Sequence, residues 1–260
     1  MLGRKLVVWG ALAQATVLES VRRKDLYVAM ILSLLMIGMA ALVGRFGVHG
    51  IDIFLKSATL TVINLLSVIL AVVFAARQMP EEISRRTIYP LLARPISRTD
   101  LIVGKFLGVF CLSGMGLLVF GLIGWGTLSI YGLHPGVIFW QYLLLRLFVL
   151  MLLCAVTVSA SIFMTPQATV TITLLLAVGS QAFSQSTLLL DKTSDGFGQV
   201  LLRGIYFVVP ALNLFDLSGK VSHGWQPIPS WVLLALLGYA LLHTLVSLTV
   251  GALRFKKVAL

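Results

Sequence analysis

The feature that most constrains this chain is how far it runs without a charge. No Asp, Glu, Lys or Arg occurs from Leu147 to Leu190, and the same holds from Leu26 to Gly44, from Ser57 to Ala76 and from Val221 to Leu253. Runs of more than about 18 uncharged apolar residues are long enough to cross a bilayer as helices. Inside lipid the backbone must satisfy its own polar groups, which a helix does within one segment. Composition agrees, with 59% hydrophobic and 11% charged residues and a mean hydropathy of +1.02. A soluble domain carries about 25% charged residues.

The pattern predicts one all-α membrane domain over residues 1–260 with six transmembrane helices. The spans are read at about Leu26 to Gly44, Leu55 to Ala76, Leu101 to Ile130, Val137 to Phe163, Ala168 to Leu190 and Ile228 to Leu253. Residues 1–25 precede them. Arg4 and Lys5 before Leu6 to Ala13 imitate a signal peptide, but Leu6, Trp9, Ala13, Val17 and Val21 continue at helical spacing. An amphipathic helix on the cytoplasmic membrane surface is expected there. Residues 77–100 form the longest charged segment, and 191–227 a polar outer region. Within the latter, Val200 to Leu217 is apolar yet interrupted by Arg203, Pro210, Asn213 and Asp216. A re-entrant or interfacial hairpin packed on protein is expected rather than a seventh span.

A net charge of +11 would point a soluble protein toward nucleic acid. Here the charges sort by topology, and no nucleic-acid partner is expected. With the N-terminus inside, fourteen basic residues are cytoplasmic: Arg4, Lys5, Arg22, Arg23, Lys24, Arg77, Arg85, Arg86, Arg94, Arg98, Lys105, Arg254, Lys256 and Lys257. Five are outside: Arg45, Lys56, Lys192, Arg203 and Lys220. That asymmetry sets both termini in the cytoplasm. Arg146, within the fourth span and after Trp140 and Tyr142, is expected to snorkel to the outer headgroups or to meet an anion. Cys111 and Cys154 each sit in an apolar run without metal-ligand spacing, as packing groups do.

The charged segment after the second span reads PEEISRRTIYPLLARPISRTDLIVGKFLG from Pro80 to Gly108. Pro80 can start a helix, with Glu81 and Glu82 in its first turn and Arg85 and Arg86 later, as the helix dipole prefers. Ile83, Thr87 and Leu91 share a face flanked by Ile88 and Leu92. Pro90 and Pro95 then break the chain, and Ser97 or Asp100 caps the next helix. A short surface helix held between two spans is a lever that a partner could push.

Glu82, Thr87, Leu91-Leu92, Pro95-Ile96-Ser97-Arg98 and Gly104-Lys105 together resemble the signature of type-2 ABC export permeases. More narrowly they resemble the branch linked to multicopper-enzyme maturation and nitrous oxide reductase assembly, although Arg86 stands where many members carry Gly. The resemblance implies that Glu81 to Leu92 is a coupling helix. Its residues Glu81, Glu82, Ile83, Arg85, Arg86, Thr87, Ile88, Leu91 and Leu92 would dock into a groove on a separate ATP-binding subunit. It further implies two permease subunits, in a homodimer or heterodimer, with two ATPase chains in the cytoplasmic (inner) membrane. ATP and Mg would then sit on the partner, with no cofactor on this chain. Internally, Gly104-Lys105 is followed by Phe106 and preceded by Thr99 where a phosphate-binding loop needs Gly. Leu217-Ser218-Gly219-Lys220 only begins like an ABC signature.

A rival uses the same glutamates. Glu81-Glu82-x-x-x-Arg86 matches the EExxxR motif of intramembrane CAAX-type proteases, but the expected Phe-x-x-x-His is absent and Tyr239-x-x-x-His243 only imitates it. A secondary transporter would show inverted repeats, which are not evident; a non-transporting scaffold is a further alternative. Polar groups inside spans either line a path or let helices pack closely. Ser57, Thr61, Asn64, Ala71 and Ala75 form one such stripe, and Thr169, Thr173, Ala177, Gln181 and Ser184 another. Thr61, Asn64, Thr173 and Gln181 are the path candidates. Gly104 and Gly108 are read as a close-packing pair.

Overall fold

The computed structural model describes residues 2–22, 25–43, 51–84, 97–134, 136–190 and 210–255, and every regular element among them is helical. The helices are α1 (Leu2–Arg22), α2 (Asp25–Val43), α3 (Ile51–Ser84), α4 (Arg98–Ile130), α5 (Val137–Ala160) and α6 (Pro166–Leu190). A 3₁₀ turn at Leu212–Phe215, the short α7 (Ser218–Ser222) and α8 (Ser230–Phe255) follow. Four are long and apolar enough to cross a membrane: Asp52–Glu82, Arg98–Ile130, Val137–Ala160 and Ser230–Phe255.

Helices α3 and α4 have 34 and 33 residues. At 1.5 Å per residue each is about 50 Å long, against a hydrocarbon core of about 30 Å, so both extend past the lipid. Here the structure differs from the sequence expectation. Pro80 does not start a new helix but lies inside α3, which continues to Ser84. Glu81 and Glu82 therefore occupy the last turn of the span's own helix. The physical reason is packing: Ala75, Ala76 and Met79 are fully buried. Their burial in the turn before the proline offsets part of the ~3 kcal/mol that an interior proline costs.

The bundle is centred on α5. Of its most apolar stretch 78% is buried inside the chain, against 11% for α8. Helices α3 and α4 run antiparallel, with Thr59 and Ile63 beside Gly124 at one end and Gln78 beside Lys105 at the other. The Tyr142 hydroxyl of α5 donates to the Leu60 carbonyl of α3 at 2.9 Å. Helices α5 and α8 are parallel: Gln141 meets Ile228 at their starts, and the Ser159 hydroxyl donates to the Ser247 carbonyl further along at 2.7 Å. The chain between them must return along the bundle, and the 25 residues of α6 lie on that return. Ser84, Arg98 and Phe255 share one end, called the collar end below; the starts of α3, α5 and α8 form the far end.

The expected close-packing glycines are in contact with the expected amphipathic helix. A Cβ on Gly104 would fall 2.6 Å from the Leu12 Cβ, and one on Gly108 would fall 2.6 Å from the Thr16 Cβ and 3.0 Å from the Ala13 carbonyl oxygen. With Trp9 beside Asp100, contacts repeat at matching intervals along both helices. Helix α1 thus runs alongside the first turns of α4 and in the same direction. Leu12 and Thr16 are buried there, while Val7 and Leu18 stay exposed on the other side. Because a backbone oxygen blocks position 108, Gly108→Ala is expected to push α1 away from α4. The expected loss is ~1–3 kcal/mol of stability, read by thermal melting in detergent, with faster trypsin cleavage within α1.

Candidate functional site

The collar end is built on the first two turns of α4. Ser97 is the N-cap and Asp100 completes a capping box: the Asp100 backbone N–H donates to the Ser97 hydroxyl at 3.1 Å, and the Ser97 N–H donates to Asp100 Oδ2 at 3.2 Å. Buried Asp100 turns its other oxygen to α1, where Trp9 Nε1–H donates to Oδ1 at 2.9 Å. Arg98 reaches α8: Nη1 donates to the Phe255 carbonyl at 2.9 Å and the guanidinium lies 5.6 Å from the Phe255 ring centre. Lys105 reaches α3, pairing with Glu82 and donating to Gln78 Oε1 at 3.3 Å. One short stretch of α4 therefore holds α1, α3 and α8.

The Glu82–Lys105 pair also answers an electrostatic problem. Acidic side chains in the last turn of a helix face the negative end of its dipole. Lys105, itself 4% exposed, supplies the compensating cation from the neighbouring helix.

Glu81 and Glu82 are half-buried at the end of α3. Ile83 lies in the same last turn, its side chain outside the described set, and Arg85, Arg86, Thr87, Ile88, Leu91 and Leu92 lie outside the described residues. Of the path candidates, Thr61 is exposed, its hydroxyl donating to the Ser57 carbonyl at 2.8 Å. Asn64 is half-buried, and its Oδ1 has no hydrogen-bond partner among the described residues. Thr173 is 2% exposed and donates to the Thr169 carbonyl at 2.8 Å. Gln181 belongs to α6 with its side chain outside the described set. The stripe on α3 divides: Ser57 and Thr61 face outward, whereas Ala71 and Ala75 are fully buried in helix contacts.

At the far end the structure corrects the reading of Arg146. The side chain does not snorkel outward; it is 3% exposed and pairs through Nη2 with Asp216 Oδ1 at 2.7 Å. The Tyr142 ring lies beneath its guanidinium at 5.2 Å. Arg146 is nine residues into α5, about 13 Å along the axis from its start. Tyr239 is nine residues into α8, and its hydroxyl accepts the Ala211 N–H at 3.0 Å. The chain at 210–216 therefore dips between α5 and α8, then climbs to Ile228. There Gln141 Nε2 donates to the Ile228 carbonyl at 2.9 Å and Oε1 accepts its N–H at 2.8 Å.

Sequence reasoning read Arg98 and Lys105 as charges and parts of a family string, and Asp100 as a cap, without assigning any of them a partner on another helix. A usable signal existed for Lys105, a lone cation entering a long uncharged run that must find a partner in protein. None existed for Asp216, seventy residues from Arg146.

Among the described residues no three His, Cys, Asp or Glu side chains converge as metal ligands would. Cys154 is buried beside the Ser113 hydroxyl at 3.6 Å and Cys111 is exposed; neither is in a disulfide.

This geometry defines a multi-pass helical membrane protein whose polar groups tie helices together at the two ends. Residues 20–180 match the family described as ABC-2 family transporter protein, so the chain belongs to that family and is a type-2 ABC permease component. A comparison with curated proteins finds no match.

Removing the charge of Asp216 leaves Arg146 buried without its counter-ion. Asp216→Asn is expected to lower stability by about 2–3 kcal/mol, toward the lower end for a buried pair because Asp216 keeps part of its surface in water. A double-mutant cycle with Arg146→Met, read by thermal melting, should return a favourable coupling energy.

Proposed function

We propose that this chain is the membrane-spanning subunit of an ATP-driven exporter, with ATP hydrolysed on a separate partner chain that carries the ATP and Mg. The observation that carries this reading is the family match over residues 20–180, which includes α3, the segment after it and the collar turns of α4. In this reading Glu81 to Leu92 contact the ATPase, with residues 81–84 forming the end of α3 and the rest following it. Two copies of the ATPase serve two permease subunits, identical or not. ATP-driven closure of the ATPases displaces the segment, and a substrate that binds the two permease states differently is moved between them. Thr61, Asn64, Thr173 and Gln181 are proposed path positions on α3 and α6.

Six spans are proposed, with α2 and α6 crossing in addition to the four longest apolar helices. Two arrangements support this: α1 docks at the collar end while α3 starts at the far end, and α5 runs parallel to α8. The charge asymmetry favours a cytoplasmic collar in the inner membrane, both termini inside, and 191–227 as an outer region whose re-entrant hairpin covers Val200 to Leu217, of which the part before Pro210 lies outside the described residues. The narrower branch, tied to multicopper-enzyme or nitrous oxide reductase maturation, rests on the Leu91-Leu92 and Pro95-Ile96-Ser97-Arg98 string alone. The protease alternative is disfavoured by the pairing of Glu82 with Lys105 and by the distance in sequence and fold between these glutamates and His243.

Copurification with the ATPase encoded beside the gene tests the reading. The wild-type chain is expected to retain the ATPase and stimulate its hydrolysis, and Arg85→Asp with Ile88→Asp to abolish both. Intact assembly and stimulation in that variant would remove the docking assignment. Orientation is checked separately: a cysteine at exposed Arg77 should react with a membrane-impermeant thiol reagent from the inner face only.

A further inference from the structure

Pro80 is a weak point placed where force is expected to enter. It has no N–H for the Ala76 carbonyl and its ring crowds that group, so a helix bends most readily at such a turn. Yet α3 continues through it to Ser84. Gln78 lies two residues before the proline and Glu82 two residues after, and the four-residue spacing sets both on one face. Both reach the same atom: Lys105 Nζ on α4 is ion-paired to Glu82 and donates to Gln78 Oε1 at 3.3 Å. A single ammonium on the neighbouring helix thus grips α3 on either side of the proline turn. The cation is 4% exposed, so its two partners are hard to replace with water.

We propose that Lys105 is a positioning residue that splints the proline turn of α3, so that force delivered after Ser84 moves the whole helix instead of being absorbed by bending at Pro80. The inference rests on the reading that residues 81–92 receive a push from an ATPase. It goes beyond that reading by naming what makes α3 stiff enough to pass the push on. A helix free to hinge at Pro80 would let its last turn swing while the remainder stayed still. Held by Gln78 and Glu82 together, the turn carries load in both directions. A role confined to neutralising Glu82 would need only one of those two contacts.

The test uses the full chain in complex with its ATPase in liposomes, in a Cys111→Ser background. Spin labels are placed at Leu65→Cys on α3 and Leu242→Cys on α8, both exposed. ATPase capture by the wild-type chain is scored first; its failure sinks the docking reading, and the splint with it, before any label is read. With the complex formed, ATP is expected to shift the label separation in the otherwise wild-type chain. Lys105→Met is expected to keep docking and ATP hydrolysis while losing the shift. Gln78→Leu, which keeps the ion pair and removes only the contact before the proline, should also lose it. Pro80→Ala added to either variant should restore the shift, because an alanine turn needs no splint. The proposal is overturned if the separation does not change with ATP in the wild-type complex, if the shift survives in Gln78→Leu, or if Pro80→Ala fails to restore it in a variant that still docks.

Discussion

Lipid offers a polar group no partner, and this one constraint organises the molecule. Helices in a bilayer gain little from hiding apolar surface from one another, since the acyl chains are as apolar as the side chains. What distinguishes one arrangement from another is small-residue contact and the pairing of polar groups. Both occur here at defined places. Gly104 and Gly108 let α1 approach α4, and the buried cations Lys105 and Arg146 each have an acidic partner on another element.

The two ends of the bundle solve the problem differently. At the collar end the ties radiate from the eight residues Arg98 to Lys105 of one helix, so α1, α3 and α8 share a common anchor. At the far end they converge from two helices on one irregular segment. Arg146, Gln141 and Tyr239 together hold residues 211–228 between α5 and α8. A broken backbone at that depth is tolerated where it packs on protein, and Ala211, Leu212, Phe215 and Leu217 are buried. Force applied at the collar reaches several helices at once, whereas the far end is a set of independent fastenings.

Much of this was legible in the sequence because the relevant rules are local. Uncharged runs located the long helices, the amphipathic period located α1, the Ser97 and Asp100 pair signalled a cap, and the glycine spacing signalled close approach. Pro80 was misread because two local rules apply to it. Proline opens helices and also breaks them, and only the burial of Ala75, Ala76 and Met79 decides that the helix carries on. Arg146 was misread for a different reason. An aromatic belt nearby makes snorkelling the local expectation, while its actual partner lies on a segment that folds back from far along the chain. The residues beyond Ser84 carry a string that resembles a family signature, and a string of this kind gives no shape.

The Gln141 side-chain amide meets only main-chain atoms of Ile228, its N–H donor and its carbonyl acceptor. Such a grip recognises the path of the peptide and is indifferent to which side chain it bears. The turn ahead of α8 can therefore drift in composition through descent, acquiring whatever surface its surroundings select, while its seat on the bundle stays where it is.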